Sequence, residues 1–331
     1  MNIDLQARQI QPQRQTFTRV AAYTGDSKPA SRYQEATLGV QSTHHFHYRP
    51  TWEPEFELFD TGRTVIAMTD WNLLRDPRQF YYATWTMTRA RQQEAMEANY
   101  QFVESRGLID RMPDTLRAKA CDVLMPLRHV AWAGNMNNCQ ITSRGYGTPL
   151  TAPALMHALD HLAAAQFLTR LGLILGEPDV LEAGKSDWME KAQWQPLRSY
   201  VEGLLVKQDP MELFIAQGLV LDGLLYPLIF THFVDDWLTV QGGTAVAMLT
   251  TFMPEWHAES ASWIDAVLKV CAAESESNRE QLGAWYVSHL TSVWEALAPV
   301  AAYALGEQGE SILAELRENL DVRAQKLGLP L

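Results

Sequence analysis

The strongest constraint on this 331-residue chain is a series of long segments with helical spacing of apolar residues, broken at Gly and Pro, with no convincing run of strand-like alternation. The first, RQFYYATWTMTRARQQEAMEANYQFVESRG, ends at Gly107 and spans roughly seven or eight turns. A second is expected to open between Asp110 and Asp114, with Pro113 tolerated in its first turn, and to run toward Gly145 and Gly147 as the antiparallel partner of the first. Thr151 and Pro153 open a third that closes at Gly176 and Pro178, and shorter helices follow to about Lys207. Asp209-Pro210 supplies a cap and first turn for ELFIAQGLVLDGLLYPLIFTHFVDDWLTV, which Gly242-Gly243 ends before TAVAMLTTFMPEWHAESASWIDAVLKVCAAES. Two more helices are expected from about Glu276 to Leu305 and from Gln308 to Gln325. Two long hairpins separated by a crossover predict an all-α, ferritin-like long-helix bundle.

Residues 1–70 read differently. They are rich in Gln, Thr, Pro and Arg without helical periodicity, and HHFHYRPTWEPEFELFD reads as extended chain. The expected organisation is an extended N-terminal arm over 1–70, suited to lie across a neighbouring subunit, and a helical domain over 71–331. The net charge of −12 disfavours nucleic acid as a partner, because a phosphate-binding surface needs a concentrated Lys/Arg stripe. Cys121, Cys139 and Cys271 form no disulfide framework or zinc-knuckle spacing, which fits a reducing compartment. The N-terminus lacks signal-peptide character and the longest apolar stretch, Leu219 to Val234, is interrupted by Asp222, so the expectation is a cytoplasmic protein without a membrane span. The 11 tryptophans point to extensive packing, within the chain or against another.

Ferritin-like bundles that carry a carboxylate-bridged diiron centre supply one Glu from each of two helices and Glu-x-x-His from each of the other two. The residues three before the nine histidines are Gln41, Ser42, His44, Pro126, Ala154, Ala158, Ile229, Pro254 and Tyr286. None is acidic, so no diiron ligand set is expected and no metal or catalytic residue is assigned. Pro126-x-x-His129 and Pro254-x-x-His257 place proline where Glu would be required, either as vestiges of such a site or by coincidence. His157 and His161 share a helical face at i, i+4 beside Asp160 and read either as satisfied helix histidines or as a two-histidine metal site. His44, His45 and His47 read as surface or interface contacts, or as a transition-metal cluster. Asp222, a carboxylate in an apolar stretch, is expected to be buried with a hydrogen-bond or ion-pair partner. No nucleotide-binding glycine loop or G-x-S-x-G elbow is present, and no cysteine has an evident activating partner.

FHYRPTWEPEFELFD at 46–60, DWNLLRDPRQFYYATWTMTRARQQE at 70–94, LRHVAWAGNMNN at 127–138 and LVLDGLLYPLIF at 219–230 resemble the beta subunits of bacterial multicomponent phenol hydroxylases, relatives of toluene and soluble methane monooxygenases. The resemblance covers nearly the whole chain. It implies a hydroxylase of two alpha, two beta and two gamma subunits, with the diiron centre in alpha and none in beta. It also implies a partner reductase carrying FAD and an iron–sulfur cluster, NADH as electron source, and a small effector protein. The beta subunits would pair and brace alpha, with no catalytic residues of their own. Beside this stand a beta subunit of a toluene or alkene monooxygenase, and a ferritin-like chain holding its own metal through His157, His161 and acids from the helix at 210–240.

Overall fold

The computed structural model describes residues 18–25, 30–43 and 48–331, and every regular element among them is helical. Two short helices, α1 (Thr18–Thr24) and α2 (Arg32–Thr37), lie within the N-terminal arm, which is therefore less uniformly extended than its composition predicts. The cause in α2 is a capping box: Ser31 Oγ accepts from the Gln34 amide while the Gln34 side chain accepts from the Ser31 amide. The arm is fastened to this chain's own helices. The Val65 amide donates to Asp209 Oδ2 (2.9 Å), the Ala67 amide to Asn278 Oδ1 (3.0 Å) and the Thr69 amide to Glu274 Oε1 (2.7 Å).

The long helices are α3 (Tyr82–Ser105), α4 (Asp114–Leu124), α5 (Leu127–Arg144) and α6 (Thr148–Glu190). The shorter α7 (Gln195–Leu204) follows. A 41-residue stretch, Pro210–Thr250, then forms a helical rod that reverses at Gly242; it contains α8 (Pro210–Phe214), α9 (Asp222–Tyr226) and, after the reversal, α10 (Thr244–Thr250), with π-helical stretches at Ile215–Leu221 and Pro227–Gly243. The chain ends with α11 (Phe252–Glu274), α12 (Glu276–Leu305) and α13 (Gly309–Lys326). Asp209 caps the rod as its position predicts, accepting from the amides of Met211 (2.8 Å) and Glu212 (3.2 Å). The rod is apolar enough to cross a membrane, but 94% of its most apolar window is packed inside this chain, which explains its hydropathy as core.

Four differences from the expected helices have structural causes. The second expected helix divides at Met125-Pro126 into α4 and α5, because Pro126 has no amide hydrogen to continue the ladder. Helix α6 opens at Thr148, with Pro149 in its first turn. It does not stop at Gly176: it kinks through Gly176 and Glu177 and resumes, with Pro178 in the first turn after the kink. The bundle's first hairpin is also α5 with α6, the most extensive helix–helix contact in the molecule, and not α3 with α4 and α5. Gly134 on α5 leaves the room that the His161 ring of α6 fills. The second hairpin pairs the rod up to Gly242 with α10 and α11, turned at Gly242, whose φ of 104° lies in the region glycine tolerates.

The tryptophan excess goes mainly inward. Trp71, Trp188, Trp194, Trp256 and Trp263 are buried, and only Trp52 and Trp132 are exposed.

Candidate metal centre

Where the two hairpins face each other, the structure brings together His157 and His161 of α6 and Asp222 at the start of α9, all buried. The i, i+4 spacing sets the two imidazoles on one face of α6, with their ring centroids 4.9 Å apart. Asp222 Oδ2 lies 3.3 Å from His161 Nε2 and 3.8 Å from His157 Nε2, and one ligand atom from each residue falls within 4.8 Å of the others. Neither nitrogen of either histidine, nor Asp222 Oδ2, has a hydrogen-bond partner. Their contacts inside the chain are the ion-pair approaches to Asp222 and not hydrogen bonds of good geometry.

Packing and a short relay orient the three groups. Trp256 of α11 stacks on His157 at 4.9 Å and meets His161 edge-on at 4.8 Å. Gly134 of α5 closes the far side of the His161 ring. Asn137 Nδ2 donates to Gln217 Oε1, and Gln217 Nε2 donates to Asp222 Oδ1, both at 2.8 Å, which gives Asp222 the donor its burial demands. Burial lowers the pKa of His157 to about 4, against the opposing pull of Asp222. Burial works against ionisation of Asp222, but His161 and His157 more than offset it and hold the carboxyl below its ordinary range.

Asp160, the acid beside these histidines in sequence, faces elsewhere. Both its oxygens are occupied by Arg89 (Nε and Nη2, each 2.7 Å), Trp85 Nε1 (3.2 Å) and Trp256 Nε1 (3.1 Å). Arg89 also reaches Glu259 Oε1 at 2.7 Å, so the cluster is roofed by a buried ion-pair network joining α3, α6 and α11. Arg89, Trp85 and Trp256 carry no motif, and nothing in the sequence singled them out as partners of Asp160.

The Pro-x-x-His pairs are not brought together. His257 stacks on Tyr226 (5.6 Å, 6°) and feels Asp222 and His157, so it borders the cluster. His129 stacks instead on Trp188 (5.7 Å), with Arg128 and Lys185 as its charged neighbours. Both prolines begin helices, Pro126 immediately before α5 and Pro254 in the first turn of α11, where a missing amide hydrogen costs nothing. His44, His45 and His47 lie outside the described residues. The thiols of Cys121 and Cys271 are pushed up to about 11 and about 12 by burial, which suits packing and not nucleophilic chemistry.

These residues do not fit a carboxylate-bridged diiron centre. Such a centre needs four carboxylates and two histidines. The cluster offers one carboxylate, Asp222, and Ala154, Ala158 and Pro254 stand three residues before His157, His161 and His257.

Comparisons with known proteins agree with the helical architecture. Residues 52–275, more than half of the chain, match the family model for methane/phenol/alkene hydroxylases. The chain is 45% identical over 331 residues to the phenol 2-monooxygenase oxygenase component DmpL of Pseudomonas sp. (strain CF600), covering 99% of this chain and 98% of that one. It is 39% identical over 335 residues to the oxygenase component MhpL of Acinetobacter pittii (strain PHEA-2), with the same coverage, 99% and 98%. Among solved structures it superposes on a chain of the xenon-pressurized phenol hydroxylase from Pseudomonas sp. OX1 with a TM-score of 0.91 and 38% identity, over 99% of both chains. A chain of toluene 4-monooxygenase matches with a TM-score of 0.74 and 16% identity, over 92% of this chain and 98% of that one, a likeness of fold. Matched over most of its length by the family model and over nearly all of it by two phenol 2-monooxygenase oxygenase components, the chain belongs to the methane/phenol/alkene hydroxylase family.

Proposed function

We propose that this chain is the non-catalytic beta subunit of the oxygenase component of a multicomponent phenol 2-monooxygenase, bracing a diiron alpha subunit that hydroxylates phenols to catechols with O2 and electrons from NADH. The observation that carries the reading is the single carboxylate at the centre of the bundle. Asp222 alone cannot supply the bridging and terminal oxygens of two irons, and the residues three before the nearby histidines are Ala154, Ala158 and Pro254. The phenol hydroxylase choice over a toluene or alkene enzyme is supported by 45% identity to a phenol 2-monooxygenase component, against 16% to the toluene 4-monooxygenase chain.

In this reading the remaining partners are a gamma subunit, a second beta subunit, a small effector protein and a reductase with FAD and an iron–sulfur cluster, all cytoplasmic. A bracing subunit must offer apolar surface to its neighbours, and Trp132 and Met136 on α5, Leu155 and Leu159 on α6, and Trp52 and Val65 in the arm are exposed large side chains.

Co-expression with an iron-bearing hydroxylase chain tests the role. Phenol hydroxylation and a dinuclear iron signal are expected only when that partner is present. Two irons per chain and phenol turnover by this chain with reductase and effector alone would overturn the proposal.

A further inference from the structure

We propose that His157, His161 and Asp222 hold one first-row divalent metal ion, of the zinc or ferrous class, that ties α6 to the Pro210–Thr250 rod. This goes beyond the bracing role and does not depend on it.

The donor set is two imidazoles and one carboxylate, which suits a borderline transition ion better than the all-oxygen shell wanted by calcium or magnesium. The spacing agrees. Ligand atoms around a tetrahedral ion with bonds near 2.1 Å lie roughly 3.4 Å apart, and the Asp222 Oδ2 to His161 Nε2 separation is 3.3 Å. The His157 Nε2 separation of 3.8 Å needs a few tenths of an ångström of closure, and the widest separation in the cluster, up to 4.8 Å, needs the two imidazoles to draw together around the ion. These three atoms, like the Nδ1 atoms of both histidines, make no hydrogen bond, and the three side chains are each at most 2% exposed. Buried polar atoms that converge without bonding one another call for a bridging group. An ion there would satisfy all three at once.

The surroundings suit a structural ion. Asp222 Oδ1 is already occupied by Gln217, so the carboxylate presents Oδ2 alone and as a monodentate ligand. A cavity of about 10 Å³, lined by His161, Asp222, Tyr226, Leu225, Val130 and Leu168 among others, adjoins the site. That is room for about one water, enough for a fourth ligand and too little for an organic substrate. The ion would cross-link the two hairpins of the bundle, as a staple and not as a reaction centre.

The test uses the full-length chain stripped with a chelator and titrated with Co²⁺, whose ligand-field absorption reports a nitrogen and oxygen site, followed by displacement with Zn²⁺. One ion per chain is expected, with a higher unfolding temperature. D222N and H161Q are expected to weaken binding by more than about 100-fold, while H232Q, at a half-buried histidine paired with Asp236, leaves it unchanged. Failure of wild-type chain to bind either ion would overturn the proposal whether or not the variants fold. So would binding that survives in D222N and H161Q, which would place the ion elsewhere. A single ion per chain without phenol turnover leaves the bracing role standing, whereas two irons with turnover defeats that role and this stoichiometry separately.

Discussion

Gly134 on α5 and His161 on α6 are packed so closely that a Cβ on Gly134 would lie 2.6 Å from His161 Nδ1. The ring cannot retreat, because Trp256 lies against it at 4.8 Å and Tyr226 at 6.4 Å. Gly134→Ala gains about 1 kcal/mol of helix propensity but forces overpacking worth roughly 1–3 kcal/mol. It also pushes against the α6 ring on which this part of α5 packs. A net loss of stability is expected in urea unfolding. A raised midpoint would show that the His161 ring is free to move.

Asp160 is the acceptor on which the roof of the cluster depends, taking four hydrogen bonds from Arg89, Trp85 and Trp256 while only 1% exposed. Asp160→Asn keeps the shape but removes the charge opposite Arg89 and turns one acceptor into a donor facing donors. Breaking a buried pair from one side costs about 3–5 kcal/mol. Glu259 remains to compensate Arg89, so the lower end of that range is expected in chemical denaturation. A loss below about 1 kcal/mol would mean that the pair behaves as a surface bridge.

The helical class, the rod and its Asp209 cap, and α12 and α13 were legible because they rest on short-range signals: apolar periodicity, caps and glycine stops. The identity of the first hairpin was not, because it depends on which faces are small enough to approach, and Gly134 shows its purpose only once His161 is opposite. The sequence raised His157, His161 and an acid from the 210–240 helix as one possible metal set, and the fold selects Asp222. Spacing alone could not decide whether those histidines had partners. That depends on ring orientation set by Trp256, about a hundred residues away. Pro126 and Pro254 looked alike at the level of motif, yet α5 places His129 beside Trp188 while α11 places His257 beside Tyr226.

Glu177 carries the strain of the α6 kink, with φ 64° and ψ −171°, a region in which only glycine is comfortable. A non-glycine residue there costs roughly 1–3 kcal/mol, against about 0.5–1 kcal/mol of added chain entropy for glycine. Glu177→Gly is therefore expected to stabilise the protein by about 1 kcal/mol in thermal unfolding. Destabilisation would indicate that the Glu177 side chain contributes a contact that outweighs the backbone strain.

His129 gives the protein a pH response separate from the metal cluster. Burial, with Arg128 and Lys185 nearby, lowers its pKa below 6.5. Above that value the ring is neutral in both folded and unfolded chains and stability is indifferent to it. As pH falls below it, the unfolded chain takes up the proton first, so stability declines by at most about 1.4 kcal/mol per pH unit until the folded pKa is passed. His129→Gln is expected to flatten this part of the pH–stability profile between neutrality and mild acid. An unchanged slope would show that the ring is solvated in the folded state. Because His129 stacks on Trp188 away from His157, His161 and Asp222, the same variant is also expected to leave the iron content of an assembled hydroxylase unaltered. Loss of iron without loss of assembly would place His129 in the oxygenase chemistry after all.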